Sequence, residues 1–446
     1  MFANSAYNSL VEAWYAHRDY YPQLIQLILE NYSTFPNPST KLEEAWKELA
    51  KEKSLPVNHA SSLLQIVNPA MGKGQNKSKA AGLSIGGLKG FWIPEYFKFL
   101  GFYQAAIPRF IKGSQDLKIY IPRPQALSWR TFHLVHDHFR RHFFASTSIK
   151  MDILAVLRYC QTYLEQWIAG HDTGDFSFEP KAPGDHVAAL EAIYYKKLTA
   201  LVTMNVGSLR LPAWLDVGDV QDAEALLDII REHLRVVSGL DPGNDGKKDQ
   251  DLLRIYRQFL SSREKKPFFD FTRKYANYIL SQLNQTKSGG RRPAQFSTSN
   301  LEVLIMSQNP SLGPIFEDEG FVHLADAIRL STVVPQYQKA NNQKPLYQIR
   351  YGLGDELLRH AQYSDQFLKA LGKFAYDYNH ENVQKNETRH EQRRRNITTD
   401  DLKAVTVLVD QYGSDTIAHL LVAFGFARSP RNPEPDPANE SEQEEE

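Results

Sequence analysis

Five side chains between Trp129 and His142 are of the types that hold metals and move protons: His133, His136, Asp137, His138 and His142. His138 and His142 are four residues apart, so a helix would put both on one face, as a divalent metal requires. His136-Asp137 is also a pair of the kind that binds metal in phosphohydrolases. Neither comes with a third and fourth ligand at a recognisable spacing, and the chain has no His-Glu-x-x-His. A helix of clustered histidines without partners reads as a polar face or as a stacking surface for nucleic acid. No glycine-rich dinucleotide fingerprint is present, and no serine stands in a nucleophile elbow. Cys160, the single cysteine, lies in an apolar helical stretch with nothing to activate it. Binding without catalysis is the expectation. A metal-dependent phosphohydrolase or nuclease built on the histidines is the alternative, and a helical scaffold that binds only protein is a third reading.

The residues that suit binding are cations in loops. Met71–Lys79 is basic and contains glycine: Lys73, Lys77 and Lys79 supply charge, and Gln75 and Asn76 can hydrogen-bond base edges. It lacks the glycine, four residues, then Gly-Lys-Ser/Thr of a nucleotide phosphate loop, so that chemistry is excluded. A solvated loop is the plain reading of such a composition. Arg109, Lys112, Lys118 and Arg123 surround a second loop, inside the apolar stretch Phe91–Trp129. Arg291 and Arg292 lie in the linker-like Lys287–Pro293. Lys385, Arg389, Arg393, Arg394 and Arg395 fall in Gln384–Asn396, and Arg329, Lys344, Arg350 and Arg359 sit near the helix ends around it. The whole chain has a formal net charge of zero. From Pro430 onward, however, there are seven acids and one base, so the rest holds 51 bases and 45 acids. A polyanion would be gripped in local patches, not by the whole surface.

The elements that must carry these residues are mostly helices. With 446 residues, two or three domains are expected. Apolar periodicity predicts helices over 7–33, Leu42–Lys53, Trp129–Tyr163, His186–Leu201, Asp222–Val237, Asp251–Ser262 and Pro267–Gln285. Ser62–Val67 and the alternating Lys118–Ile121 are the strands. Beyond 293, helices are expected at Gly320–Leu330, Asp355–Tyr363, Gln366–Asn379, Thr398–Tyr412 and Thr416–Phe424, with Thr398 as an N-cap. The fold class read from this is mainly α, with a smaller mixed α/β N-terminal part (residues 1–290) and a C-terminal helical bundle (298–428). An acidic tail, 429–446, follows and is disordered by composition. Met306 lies just after that boundary, and a product begun there would have 141 residues, the size of a small helical bundle. No run of about 18 apolar residues is present, and the first residues lack the pattern of a secretory leader. With one cysteine, this suits a reducing, cytoplasmic setting.

Three groups of segments carry a resemblance. They are Asn68–Gly74, then Phe91–Gly101 with Lys112–Tyr120, and in the last third Ile328–Thr332, Arg350–Leu353 and Tyr378–Asn382. In these the chain resembles the large subunit of type I CRISPR effector (Cascade) complexes, in the short cyanobacterial and myxobacterial variety. The resemblance covers most of the chain but brings no invariant catalytic motif. It implies a non-enzymatic subunit without a cofactor that reads the protospacer-adjacent motif in duplex DNA and helps open the strands. Its implied partners are CRISPR RNA, target double-stranded DNA, the backbone and foot subunits, small subunits, and a helicase-nuclease or transposition proteins. It also implies that the C-terminal bundle is like the small subunit. On that reading, Lys73, Gln75, Asn76, Lys77, Lys79, Arg109, Lys112 and Lys118 contact the motif and phosphates. Arg291, Arg292, Arg350, Arg359, Arg393, Arg394 and Arg395 track a strand.

Overall fold

The computed structural model describes residues 5–34, 38–55, 60–62, 66–69, 89–173, 181–198, 201–240, 249–261, 266–285, 292–389 and 394–429. The fold is mainly helical with a small four-stranded antiparallel sheet. In chain order the elements are α1 (Ser5–Ala16), α2 (Tyr21–Thr34), α3 (Pro38–Glu52), β1 (Ala60–Ser62), β2 (Lys89–Phe91), α4 (Trp92–Ala105), β3 (Ile107–Phe110) and β4 (Leu117–Pro124). Then come α5 (Trp129–His142), α6 (Ser148–Thr173), α7 (Pro183–His186), β5 (Val187–Lys197), β6 (Leu201–Arg210), α8 (Val220–Gly239), α9 (Gln250–Ser261) and α10 (Lys266–Gln285). The last third holds α11 (Thr298–Gln308), α12 (Gly313–Glu317), α13 (Glu319–Ser331), α14 (Val333–Ala340), α15 (Leu353–Arg359), α16 (Ser364–Arg389), α17 (Thr399–Tyr412) and α18 (Ser414–Gly425). No described helix is long and apolar enough to cross a membrane.

The chain divides elsewhere than at 287–293. One compact unit is Met1–Arg123 with Phe144–Ser146 and Ala189–Leu209; the other is Pro124–Phe143, Thr147–Ala188 and Arg210–Glu446. The reason is packing across the expected boundary. Phe296 lies 4.8 Å from the His233 ring and 5.9 Å from Phe268, and the Glu232 carboxylate accepts the Ser297 N–H at 2.9 Å. α10 also packs on α14 and α18.

In the first unit, Leu10, Leu24, Leu42, Trp46, Trp92 and Phe99 form one core under α1–α4. A second core, Ala106, Leu117, Ile119, Ile193 and Tyr195, lies on one face of the sheet, whose order is β3-β4-β5-β6. β3 and β4 pair antiparallel, with Arg109 opposite Lys118. The segment read as helix over 186–201 is instead mostly β5. Its Ala, Leu and Glu favour helix, but Ile193 and Tyr195 bury in the sheet core, and that burial wins over a propensity of tenths of a kcal/mol per residue. The helix expected over Trp129–Tyr163 is two helices, α5 and α6, with the break at Phe143–Thr147. In the second unit α13, α16, α17 and α18 form the bundle expected in the last third. Its two ends are tied: Thr298 N–H donates to the Arg428 carbonyl at 2.9 Å and Arg428 N–H to that of Phe296 at 2.7 Å. Thr398 and Asp401 make the reciprocal capping box that starts α17.

Candidate nucleic-acid interface

The β3–β4 turn positions a small exposed tip. Lys112, Gly113, Ser114 and Gln115 are exposed, and Phe110 is 51% exposed just before them. Gly113 sits at φ 81°, a region open to glycine at little cost. The backbone of the tip is tied down. Ile111 N–H donates to the Asp116 carbonyl (2.9 Å), Ser114 N–H to that of Ile111 (3.0 Å), and Lys112 N–H to that of Ser146 (3.0 Å). The Asp116 carboxylate accepts the Tyr194 hydroxyl (2.8 Å) and the Lys197 N–H (2.9 Å). Burial and that bond push the Tyr194 phenol up to about 12, so it remains a donor at neutral pH. The loop therefore presents its side chains from a fixed frame, and little order is lost when a ligand arrives.

The other three cations of this loop are placed differently. Lys118 is buried, with Nζ 5.8 Å from the centre of the Tyr194 ring, so its ammonium is inside the sheet unit instead of at a phosphate. Arg109 is half-buried and donates to the neighbouring Pro108 carbonyl at 2.9 Å. Arg123 pairs with Glu191 at 2.8 Å. The residues Lys73, Gln75, Asn76, Lys77 and Lys79 lie outside the described residues, as do Arg291 and Arg393.

Two of the expected strand-tracking arginines are structural. Arg350 and Arg394 both reach Glu381 Oε2, at 3.0 and 3.1 Å. Arg394 is also sandwiched between the rings of Tyr347 (3.4 Å) and Tyr378 (4.1 Å) and donates to Asn382 Oδ1 (2.9 Å) and the Leu330 carbonyl (3.2 Å). Burial lowers its guanidinium below the ordinary value, while Tyr378 and Glu381 push back. Asn379 holds Ile397 by both its N–H (2.9 Å) and its carbonyl (2.7 Å). Arg350 N–H donates to the Ser331 carbonyl at 2.8 Å. The segments 328–332, 350–353 and 378–382 thus meet in one polar network. Arg394, desolvated and fully engaged, is not available to a phosphate, whereas Arg350 is half-buried and its Nε has no hydrogen-bond partner. Arg292 bonds Asn341 and lies 5.6 Å over the Tyr337 ring. Arg359 and Arg395 are exposed, the latter 3.4 Å from Asp401. A cleft of about 330 Å³ beside Arg350 is lined by charges of both signs, Arg350 and Lys373 against Glu356 and Asp377, which does not make an anion pocket.

The histidines of α5 fall on two sides of the helix and do not converge on one point, although the His138 and His142 rings lie 5.5 Å apart. His136 is fully buried beside Phe132, and burial lowers its imidazole to about 4. His138 accepts from Gln166 at 3.1 Å, His142 donates to the His138 carbonyl at 2.9 Å, and His133 stands edge-on to Trp129. Among the described residues no three His, Cys, Asp or Glu side chains converge as metal ligands. Phe110 and Gln115 are surface residues of the hairpin that the charge pattern alone missed. Their signal was position, on either side of a glycine turn. Comparison of the chain with protein-family models, curated proteins and solved structures finds no match.

Proposed function

We propose that this chain is a non-catalytic, nucleic-acid-binding subunit of an RNA-guided complex of the kind it resembles, the type I CRISPR (Cascade) large subunit. The observation that carries the reading is the fixed hairpin tip. Lys112 supplies charge for a phosphate, Ser114 and Gln115 supply groups for a base edge, and Phe110 supplies an apolar side chain beside them. Such a tip suits a short motif in duplex DNA, with base pairing to CRISPR RNA left to read the rest of the target. The partners are then the guide RNA, the target duplex and the other subunits of the complex, acting in the cytoplasm.

The test is binding of the full chain to short duplexes carrying a randomised stretch, across a salt series. Wild type should bind more weakly as salt rises. Lys112→Ala should reduce the slope of log K against log salt by about 0.9, one phosphate's worth. Gln115→Ala should relax the sequence preference. A wild-type chain with no salt-dependent affinity for duplex would overturn the reading.

A further inference from the structure

α5 turns a second surface outward. At about 100° per residue, Trp129, His133 and Arg140 fall within about 40° of one another, and Asp137, Arg130 and Arg141 follow at about 80–120° from Trp129 round the helix. Trp129 is 69% exposed, and Arg130, Arg140 and Arg141 are exposed. The helix contains one acid, Asp137, against these three arginines. From Arg130 to Arg141 the cations span about 16 Å of helix axis at 1.5 Å per residue.

The indole is not loose. Its ring is 15° from parallel with Phe132 at 5.8 Å, and His133 meets it edge-on at 4.2 Å. Phe132 in turn is 8° from parallel with His136 at 5.3 Å. Three rings therefore form a column running from the surface to a fully buried histidine, and Trp129 is its outer end. A tryptophan so exposed adds little to the core, yet its orientation is fixed by rings beneath it. The helix-stabilising effect of basic residues in a last turn accounts for Arg140 and Arg141 but not for Trp129, which is in the first turn.

We propose that this face of α5 binds single-stranded nucleic acid, with an unpaired base stacking on Trp129 as a fourth ring and Arg130, Arg140 and Arg141 contacting phosphates. A duplex hides the faces of its bases, so an exposed stacking ring selects unpaired strand. The proposal rests on the nucleic-acid reading above but concerns a separate surface and a different form of the ligand.

A labelled oligothymidylate of about 15 nucleotides, long enough for one such site, is the probe, read by fluorescence anisotropy on the full chain. Trp129→Ala should weaken its binding about ten-fold, the loss expected for one stacked base. Trp129→Phe, which keeps a ring, should lose less than about three-fold, by the same stacking scale. Arg130→Gln with Arg141→Gln should reduce the salt slope by about 1.4, for two phosphates on a single strand. Duplex affinity should survive all of these changes. Oligothymidylate affinity unchanged in Trp129→Ala overturns the proposal, as does a wild type that binds duplex but not the oligomer. Self-association lost in Trp129→Ala with oligomer affinity intact would identify a protein interface instead and also overturns it. If wild type binds neither duplex nor oligomer, the broader reading falls with it.

Discussion

Arg350 and Arg394, 44 residues apart in the sequence, are held by one carboxylate oxygen, Oε2 of Glu381. Oε1 of the same side chain accepts the Gln348 N–H at 2.6 Å. One acid on α16 thus joins the chain before α15 to the chain before α17. The basic run that composition marks as a solvated, strand-tracking loop is, at Arg394, part of the packing.

Removing that acid is therefore a stability experiment. Glu381→Ala leaves the Arg394 guanidinium, 2% exposed, without its carboxylate. The expected loss is on the order of 3 kcal/mol, as for breaking a buried ion pair from one side. Arg359→Gln, at an exposed position, should change stability by less than about 0.5 kcal/mol. Urea denaturation of the three proteins checks both. A Glu381→Ala chain as stable as wild type would show that Tyr347, Tyr378, Asn382 and the Leu330 carbonyl suffice to hold the arginine.

Glu232 and its neighbour His233 respond to pH in opposite directions. Burial raises the Glu232 carboxyl to about 7 against the Ser297 bonds that lower it. The unfolded chain releases that proton near 4.5 and the folded chain near 7, so stability falls as pH rises through this window. Burial lowers His233 to about 3 and His136 to about 4. Only the unfolded chain protonates them below 6.5, so their contribution is present above 6.5 and is lost as pH falls. Between 4.5 and 6.5 one slope opposes the other two. Glu232→Gln should therefore show a steeper rise of stability with pH over that window than wild type, by about 1.4 kcal/mol per pH unit. Urea midpoints at pH 5.0, 5.5 and 6.0 measure it, and parallel profiles would disprove it.

α13 and α18 approach closely at Gly425, where a Cβ would lie 2.6 Å from Ile328 Cγ2 and 2.8 Å from its Cβ. Both atoms belong to a fully buried, β-branched side chain that has no room to turn. Gly425→Ala should cost about 1–3 kcal/mol through overpacking, although alanine is the better helix former. Gly372→Ala, also within a helix and with nothing within 4 Å of the added carbon, should be neutral or slightly stabilising. Thermal melts of the pair decide it.

Local rules made part of this fold legible. The Thr398 cap, the amphipathic α8 and, in the last third, α13 and α15–α18 follow from spacing that one stretch of sequence carries, whereas α11, α12 and α14 were not legible that way. What was not legible depended on distant partners. β5 reads as helix because Ala188, Ala189, Leu190 and Ala192 favour one, and only the core shared with Leu117 and Ile119 makes it strand. The fates of Lys118, Arg350 and Arg394 were hidden for the same reason, since a cation's sequence neighbours do not say which ring or carboxylate will cover it. At the hairpin, only the basic loop and the second strand, in the alternating Lys118–Ile121, were legible; β3, and with it the pairing that makes the turn, was not.

The same logic bears on Met306. A product begun there would match a free-standing bundle in length, but it would lack most of α11, with Leu301, Leu304 and Ile305 all buried. It would also lose Phe296 and Thr298, which tie the start of the bundle to Arg428. α18 would lose α10 as well, against which it packs. Each absent partner uncovers apolar surface at about 25 cal/mol per Å², and a fragment of this size has little stability to spare. Residues 306–446 expressed alone should therefore show helical far-UV dichroism without a cooperative thermal transition, while the full chain melts cooperatively. A sharp melt for the fragment would mean that α13, α16, α17 and α18 hold together without α10 and α11, and would restore Met306 as a start for a separate small subunit.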